Sequence, residues 1–173
     1  QFSASRPRSL AGQTRVEQTV TTASMVTVGN SNFVGRVTSI QAQQTESLNA
    51  KITFFYTYKD IKDFNTANPT NTFTNDTLAG SMQMHILHMH ETFDTLNRVW
   101  RKVPTYYGPL FALWIPNKHV WETSTNITKL SEFYAHPSSI ASTFDCKNSG
   151  KDTIVANDFY VWNYPDSLFT SGD

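Results

Sequence analysis

Three histidines lie close together in the sequence and are the clearest candidates for chemistry. His85, His88 and His90 stand in the segment SMQMHILHMHETF (81–93), and Glu91 follows the last of them directly. Neutral imidazoles bind zinc, copper or iron, and His88 and His90 would share one face of a strand. These histidines are therefore weak candidates for a metal site. The simpler interpretation places them at a strand end or at a subunit contact, and we expect no cofactor.

The single cysteine, Cys146, limits both the fold and the chemistry. One cysteine excludes an intramolecular disulfide framework, so the core alone must hold the fold. Cys146 would be a nucleophile only if a histidine came within reach, and a lone cysteine is more often a small buried apolar residue. The sequence has no G-x-S-x-G elbow, no Walker loop and no G-x-G-x-x-G motif. We therefore expect a protein that is not an enzyme.

Three arginines near the start of the chain are candidates for contact with nucleic acid. Arg6, Arg8 and Arg15 stand in a segment without acidic residues, in which Pro7 and Gly12 would break any helix. The chain as a whole has a formal net charge of zero, because it contains 14 Lys and Arg and 14 Asp and Glu. We therefore predict an extended basic arm over residues 1–15 in front of a domain without a strong charge.

Composition indicates that residues 16–173 form a single folded domain. The chain has 173 residues, of which 39% are hydrophobic and 13% aromatic, enough to bury a core. Only 16% are charged, while Thr, Ser and Asn are abundant. Such a surface is common in secreted proteins and in proteins that pack against copies of themselves. No stretch approaches the roughly 18 apolar residues of a membrane span, and no signal peptide opens the chain.

Alternating and apolar segments predict strands along most of the chain. KITFFYTYK (51–59) alternates with a period of two, and its flanking lysines suit an edge strand or an exposed outer face. The segment 81–93 is apolar on both faces, and PLFALWIP (109–116) has the length and flanks of a fully buried strand. Further strands are predicted at Val16–Val28, at 33–41 and at 152–164.

The remaining segments are less regular. A short helix is predicted at Ile61–Phe64, at the start of a long polar connection over 60–80, and a second within TNITKLSEFYAHP (125–137). The segment 94–103 fits helix or strand equally well, and Pro104 together with Tyr106–Pro109 is expected to end it. The whole pattern predicts an all-β antiparallel sandwich or jelly roll with about eight strands and one or two short helices.

This arrangement resembles the coat proteins of small icosahedral viruses, especially the satellite-type single jelly rolls. The resemblance covers the whole chain as a pattern. It lies in the arm (Arg6, Arg8, Arg15) and in the strands around Val16–Val28, Ile52–Tyr58, Met82–His90, Leu110–Ile115 and Phe159–Tyr164. It implies a structural capsid subunit that self-assembles into a shell, is located in the virion, and contacts genomic nucleic acid through its arm. Arms of this family usually carry more basic residues, so the contribution of each subunit to phosphate binding would be modest.

Two alternatives to the capsid subunit stay open at this point. The first is a secreted, lectin-like β-sandwich that binds a carbohydrate or a receptor. Its site would be an aromatic platform drawn from Tyr56, Tyr58, Trp100, Tyr106, Tyr107, Trp114, Trp121, Tyr160, Trp162 and Tyr164. The second is a cupin-like metalloprotein built on the three clustered histidines, although the spacing of the neighbouring glycine and glutamate departs from the cupin motif.

Overall fold

The computed structural model describes residues 16–43, 50–94, 99–128, 130, 145–146 and 154–163. Its strands are β1 (Val16–Thr21), β2 (Met25–Val28), β3 (Ser31–Val34), β4 (Val37–Gln43), β5 (Ala50–Thr57), β6 (Ser81–Asp94), β7 (Val99–Ile115), β8 (Val120–Ile127), β9 (Asp145–Cys146) and β10 (Ile154–Trp162). The one helix in these residues is α1 (Tyr58–Ala67). The predicted all-β fold with antiparallel strands and few helices is therefore confirmed.

Seven strands form one antiparallel sheet that curls back on itself. Their order is β1-β4-β10-β6-β7-β8-β5, with β9 paired to β7, while β2 and β3 form a separate two-stranded sheet. Phe54 on β5 and Phe159 on β10 are four strand positions apart, which would be about 19 Å in a flat sheet. Their ring centroids lie 5.3 Å apart. The sheet must therefore curl until its β5 end faces β10, which produces a sandwich-like pair of layers around the main core.

The predicted strand over 51–59 is confirmed as β5, which lies at one edge of the curled sheet. Ile52, Phe54 and Tyr56 are buried in the main core, as the alternation predicts. The strand ends earlier than expected, because Thr57 caps the following helix and Tyr58 is its first residue. The side chain of Tyr58 is consequently exposed instead of joining the core face of the strand.

Strand β6 is buried on both faces from Ile86 to Glu91, as its sequence predicts, whereas Ser81 and Gln83 near its start are exposed. Met84 and Ile86 belong to the main core that β5 and β8 also line. Leu87 belongs to a second cluster, in which it packs with Phe33 from the small sheet and with Trp162 from β10. The small sheet therefore covers the back of β6 at Leu87 and Met89, which explains why the strand is apolar on that face as well.

The first two predicted strands are each broken in two. Residues 16–28 form β1 and β2, and residues 33–41 fall within β3 and β4, so that one long hairpin crosses from the large sheet to the small one. The break is held by a backbone hydrogen bond of 3.1 Å from Ala23 N to Gly35 O. A Cβ atom on Gly35 would lie only 1.9 Å from Ala23 O. Only glycine permits this close approach, and the alternation of the sequence gives no sign of the break.

Helix α1 is longer than the predicted Ile61–Phe64 segment. Asp60 and Thr57 form a capping box, in which Asp60 N donates to Thr57 Oγ1 and Thr57 N donates to Asp60 Oδ2. Arg36 Nε also donates to Asp60 Oδ2, at 2.7 Å, which ties the helix to the turn between β3 and β4. No helix in the described residues is long and apolar enough to cross a membrane.

Strand β7 corrects the expectation that Pro104 and Tyr106–Pro109 end a segment. Of the segment 94–103, which fitted helix or strand, Asp94 ends β6 and residues 99–103 begin β7, while residues 95–98 lie outside the described residues. Strand β7 then continues through Pro104 to Ile115. Pro104 is accommodated because it lies outside the short stretch of β7 that pairs with β8. The predicted helix over 125–137 is wrong for its first residues, which are the end of β8, and most of the remainder lies outside the described residues. The predicted last strand is confirmed as β10.

Candidate functional site

The clustered histidines do not converge. Because side chains alternate along a strand, His88 and His90 share the face of β6 that points into the main core. Both are fully buried, and their ring centroids lie 5.1 Å apart. His85 lies on the opposite face, where its ring stands 6.3 Å from that of Trp162. The expectation of a shared face for His88 and His90 is confirmed, but His85 cannot join them around one metal ion.

His88 is fixed by a buried amide. Asn157 Nδ2 donates to two backbone carbonyls, Ile40 O at 3.1 Å and Leu130 O at 2.8 Å. The amide oxygen therefore points at His88 Nε2, 2.8 Å away, and this nitrogen must carry the proton that it shares. The ring of His88 also stacks on Phe159, with centroids 4.4 Å apart and an interplanar angle of 13°. These contacts make His88 a packed core residue that orders β4, β6 and β10.

His85 lies at a β-bulge that a glycine makes possible. The register of β6 and β7 shifts between Met84 and Ile86, so that Gly108 and Pro109 together face His85. Gly108 has a φ of +144°, and a Cβ atom there would lie 2.8 Å from His85 Cδ2. His85 Nδ1 is 2.9 Å from Asn163 O. The histidine therefore helps to hold the end of β10 against β6.

The other candidate residues do not add a chemical site. Within the described residues, no group of three or more His, Cys, Asp or Glu side chains could hold a metal ion. Cys146 pairs through its backbone with Trp100, and its side chain is outside what the structure describes. The proposed nucleic-acid residues Arg6, Arg8 and Arg15 also lie outside the described residues.

Four of the ten aromatic side chains proposed as a sugar-binding platform are in the interior, namely Tyr56, Trp100, Trp121 and Trp162. Of the others, Tyr58 is exposed, Tyr164 lies outside the described residues, and the rest are partly buried. Burial raises the pKa of Tyr56 above its ordinary value; the Asp60 carboxylate raises it further, and Arg36 opposes this. Burial also raises the pKa of Tyr160, again with a smaller contribution from a carboxylate, that of Asp158. Apart from Tyr58, the described rings are at least partly buried and do not form an open platform.

A polar cleft of about 400 Å³ lies between the β1–β2 connection and the start of α1. Its charged side chains are Arg36, Lys59, Asp60 and Asp63. They compensate one another, since Arg36 pairs with Asp60 and Lys59 pairs with Asp63. The cleft therefore has no net charge to attract a charged ligand.

The most unusual exposed feature is an apolar face on strands β7, β8 and β5. We call this the outer face and define it by Phe55, Phe111, Leu113, Lys118 and Glu122. Leu113 pairs with Glu122, and Glu122 in turn pairs with Phe55, so the three side chains lie on one side of the sheet. Phe111 is two residues from Leu113 and shares that side. Phe111 is 63% exposed and Leu113 is 54% exposed.

One positive and one negative charge accompany these apolar side chains. Lys118 Nζ lies 5.4 Å from the ring centroid of Phe55, close enough for a cation–π contact. Glu122 lies between Phe55 and Leu113 in the cross-strand register. Neither Lys118 nor Glu122 forms an ion pair with another described residue. The outer face is thus apolar and carries no net charge.

The outer face corrects the expectation that PLFALWIP (109–116) is a fully buried strand. Ala112 points into the main core, but Phe111 and Leu113 point to solvent. A continuous apolar run places apolar side chains on both faces of a strand, so its sequence cannot tell which face the fold covers.

Comparisons with known protein families, with curated proteins and with solved structures gave no match for this chain.

Proposed function

We propose that this protein is a structural capsid subunit that self-assembles into an icosahedral shell and contacts packaged nucleic acid through its N-terminal arm. The observation that carries the proposal is the exposure of Phe111 and Leu113 on the outer face. Contiguous exposed apolar side chains are characteristic of surfaces that become buried in a contact. Catalysis is not part of the proposal, because the clustered histidines serve packing in the described structure.

The charge of the chain supports association between identical copies. Lys and Arg equal Asp and Glu in number, so the formal net charge at pH 7 is zero. Proteins with a large net charge repel their own copies, whereas a neutral chain meets no such barrier. The low content of charged residues, 16%, further reduces the cost of removing water from the surface when copies meet.

The curled sheet supports a role as a building block. Its two layers enclose a single main core, and the small sheet closes the back of β6. Ion pairs between Arg36 and Asp60 and between Lys102 and Asp158 link segments distant in the sequence. A shell subunit must present its contacts at fixed angles, and a continuous sheet with a packed interior provides that rigidity.

The contribution of the arm rests on Arg6, Arg8 and Arg15, which precede β1 without an intervening acidic residue. Strand β1 is at the edge of the curled sheet opposite to β5 in the strand order. Each arginine neutralises about one phosphate, and binding by so few charges is weak and strongly dependent on salt. Many copies in one shell would add their separate contributions.

Sedimentation velocity and negative-stain electron microscopy test the assembly. We expect purified protein at micromolar concentration to form particles of tens of subunits with a narrow size distribution. A single species with the mass of one chain, 19.6 kDa, at all concentrations up to the solubility limit would contradict the proposal.

A second experiment tests the arm. In the triple variant R6A/R8A/R15A, we expect the assembled particles to contain less nucleic acid, measured by the ratio of absorbance at 260 and 280 nm. The control K51A/K59A/K62A removes three exposed positive charges from the folded domain. Equal loss of nucleic acid in both variants would show that only total charge matters, and would refute a specific role of the arm.

A further inference from the structure

The outer face has the arrangement that a contact between two identical surfaces requires. In a two-fold contact each residue of the patch meets the patch of the other copy, so the patch must be complementary to itself. An apolar centre satisfies this condition automatically. Charges satisfy it only when both signs are present, and the outer face carries one of each in Lys118 and Glu122.

The cross-strand register places these groups next to each other in a definite order. Glu122 on β8 has Leu113 of β7 on one side and Phe55 of β5 on the other. Lys118, in the turn between β7 and β8, stands over the Phe55 ring. The exposed polar side chains of Ser81 and Gln83 lie across from Leu113 and Phe111 on β6. The patch therefore has neutral polar side chains on β6 and apolar side chains on β7, followed by Glu122 on β8 and by Phe55 on β5 with Lys118 beside it.

From this arrangement we infer that the outer face binds the outer face of a second copy of this chain in a two-fold contact. Phe111 and Leu113 are buried in the contact, and Lys118 of each copy pairs with Glu122 of the partner subunit. The inference rests on the proposed function and specifies one of the contacts that build the shell. Two sheets that pack face to face are about 10 Å apart, a spacing that side chains of this size fill.

Charge reversal provides the sharpest test, because a reciprocal pair can be restored. Each of the single variants K118E and E122K places like charges opposite each other across the two-fold axis. We expect the dissociation constant of the dimeric contact, measured by sedimentation equilibrium, to rise by at least about tenfold in each. The double variant K118E/E122K re-creates opposite charges and should return to within about threefold of the unmodified protein. The control K62E reverses an exposed charge on α1, away from the outer face, and should leave association unchanged.

A second pair of variants tests the apolar centre without the charges. F111S and L113S replace exposed side chains, so the thermal unfolding midpoint should change little while association weakens. If these variants lower the unfolding midpoint of a single chain and leave association intact, the face is covered within one molecule and the inference is wrong.

The remaining outcomes separate the inference from the proposed function. If shells form and all outer-face variants assemble like the unmodified protein, the shell is built from other contacts, and only the inference fails. If the unmodified protein never associates, the proposed function fails as well. A double variant that is weaker than both single variants would refute the reciprocal pairing of Lys118 and Glu122.

Discussion

His88 Nε2 and Asn157 Oδ1 lie 2.8 Å apart between neighbouring strands of the main core, and both residues are fully buried. The amide of Asn157 also reaches Ile40 O and Leu130 O. One side chain therefore supplies hydrogen bonds to groups on three separate segments. In an interior of low polarity, a buried group that loses its partner costs considerably more than the net gain of forming one bond.

This network predicts a large effect of a small substitution. Asn157→Ala should lower the free energy of unfolding by about 3 kcal/mol, because it removes partners from His88 and from two backbone carbonyls. Urea unfolding followed by tryptophan fluorescence measures the difference. Asn126→Ala, on the exposed part of β8, is the control and should change stability by no more than about 0.5 kcal/mol. Similar values for the two variants would show that the amide is not important for the core.

Removal of the Tyr56 hydroxyl should increase the stability of the fold, in contrast to the loss expected for Asn157→Ala. The hydroxyl is buried and makes no hydrogen bond to another group in the described part of the chain. Tyr56→Phe should therefore raise the free energy of unfolding at pH 7 by about 1 kcal/mol. Urea unfolding measures it, with the exposed Tyr58→Phe as the matched control. A loss of stability in Tyr56→Phe would indicate that the hydroxyl has a partner.

The same tyrosine predicts how stability changes with alkaline pH. Burial raises the pKa of Tyr56 in the folded state, whereas in the unfolded chain it titrates near its ordinary value of about 10. Its contribution to stability is therefore complete below about pH 10 and is lost as the pH rises toward the folded pKa. Between pH 9 and pH 11, roughly the window above and below that value, Tyr56→Phe should lose less stability than the unmodified protein. If the free energy of unfolding changes equally with pH in the two proteins, the pKa of Tyr56 is not raised by folding.

Asn75 and Trp121 form a contact that links the polar connection before β6 to the core. Trp121 Nε1 donates to Asn75 Oδ1 at 2.9 Å, and Asn75 adopts a φ of +43° that asparagine tolerates better than most residues. Asn75→Ala should lower the free energy of unfolding by about 2 kcal/mol, since the indole N–H of a fully buried tryptophan loses its acceptor. Asn75→Asp keeps an acceptor oxygen and should lose less. Calorimetric unfolding midpoints compare the two, and equal losses would contradict the role of the acceptor oxygen.

Gly35 allows the interrupted hairpin to form, which predicts a severe effect of a single methyl group. Gly35→Ala would place Cβ 1.9 Å from Ala23 O, a backbone atom that cannot move without opening the hairpin. We expect a loss of about 4 kcal/mol or more, a size that only a few mechanisms produce. Gly80→Ala is the comparison, since nothing lies within 4 Å of its Cβ position and only the strain of its φ of +78° remains. A loss for Gly35→Ala as small as for Gly80→Ala, both measured by urea unfolding, would contradict the close approach.

The sequence predicts two kinds of strand correctly. In one kind, apolar and polar side chains alternate between the two faces; in the other, both faces are apolar. The alternation around Ile52 and Phe54 predicts β5, and its flanking lysines suit the edge position that it takes. The apolar pattern from Met82 to Met89 predicts a strand covered on both sides, which holds from Ile86 onward. These features depend on local spacing, which is visible in the order of residues. The break at Gly35 depends on contact with Ala23, which is distant in the sequence, so no local pattern reveals it.

The candidate site was predictable only in part. Period-two spacing places His88 and His90 together and correctly separates them from an odd-numbered neighbour such as His85. It cannot show that Asn157, 69 residues away, fixes His88. Nor can the run from Leu110 to Ile115 show that Phe111 and Leu113 are exposed, because coverage of a face is a property of the whole fold.

The position of β10 between β4 and β6 also sets a condition on how the protein is made. Asn157 bonds to Ile40, 117 residues earlier, so the first half of the sheet cannot close until the ribosome has released most of the chain. During synthesis, β4 and β6 each have an unpaired edge until β10 follows. Nascent chains in that condition are prone to aggregate. Slow translation or low chaperone capacity should therefore reduce the yield of soluble protein more than a local defect in the finished fold would.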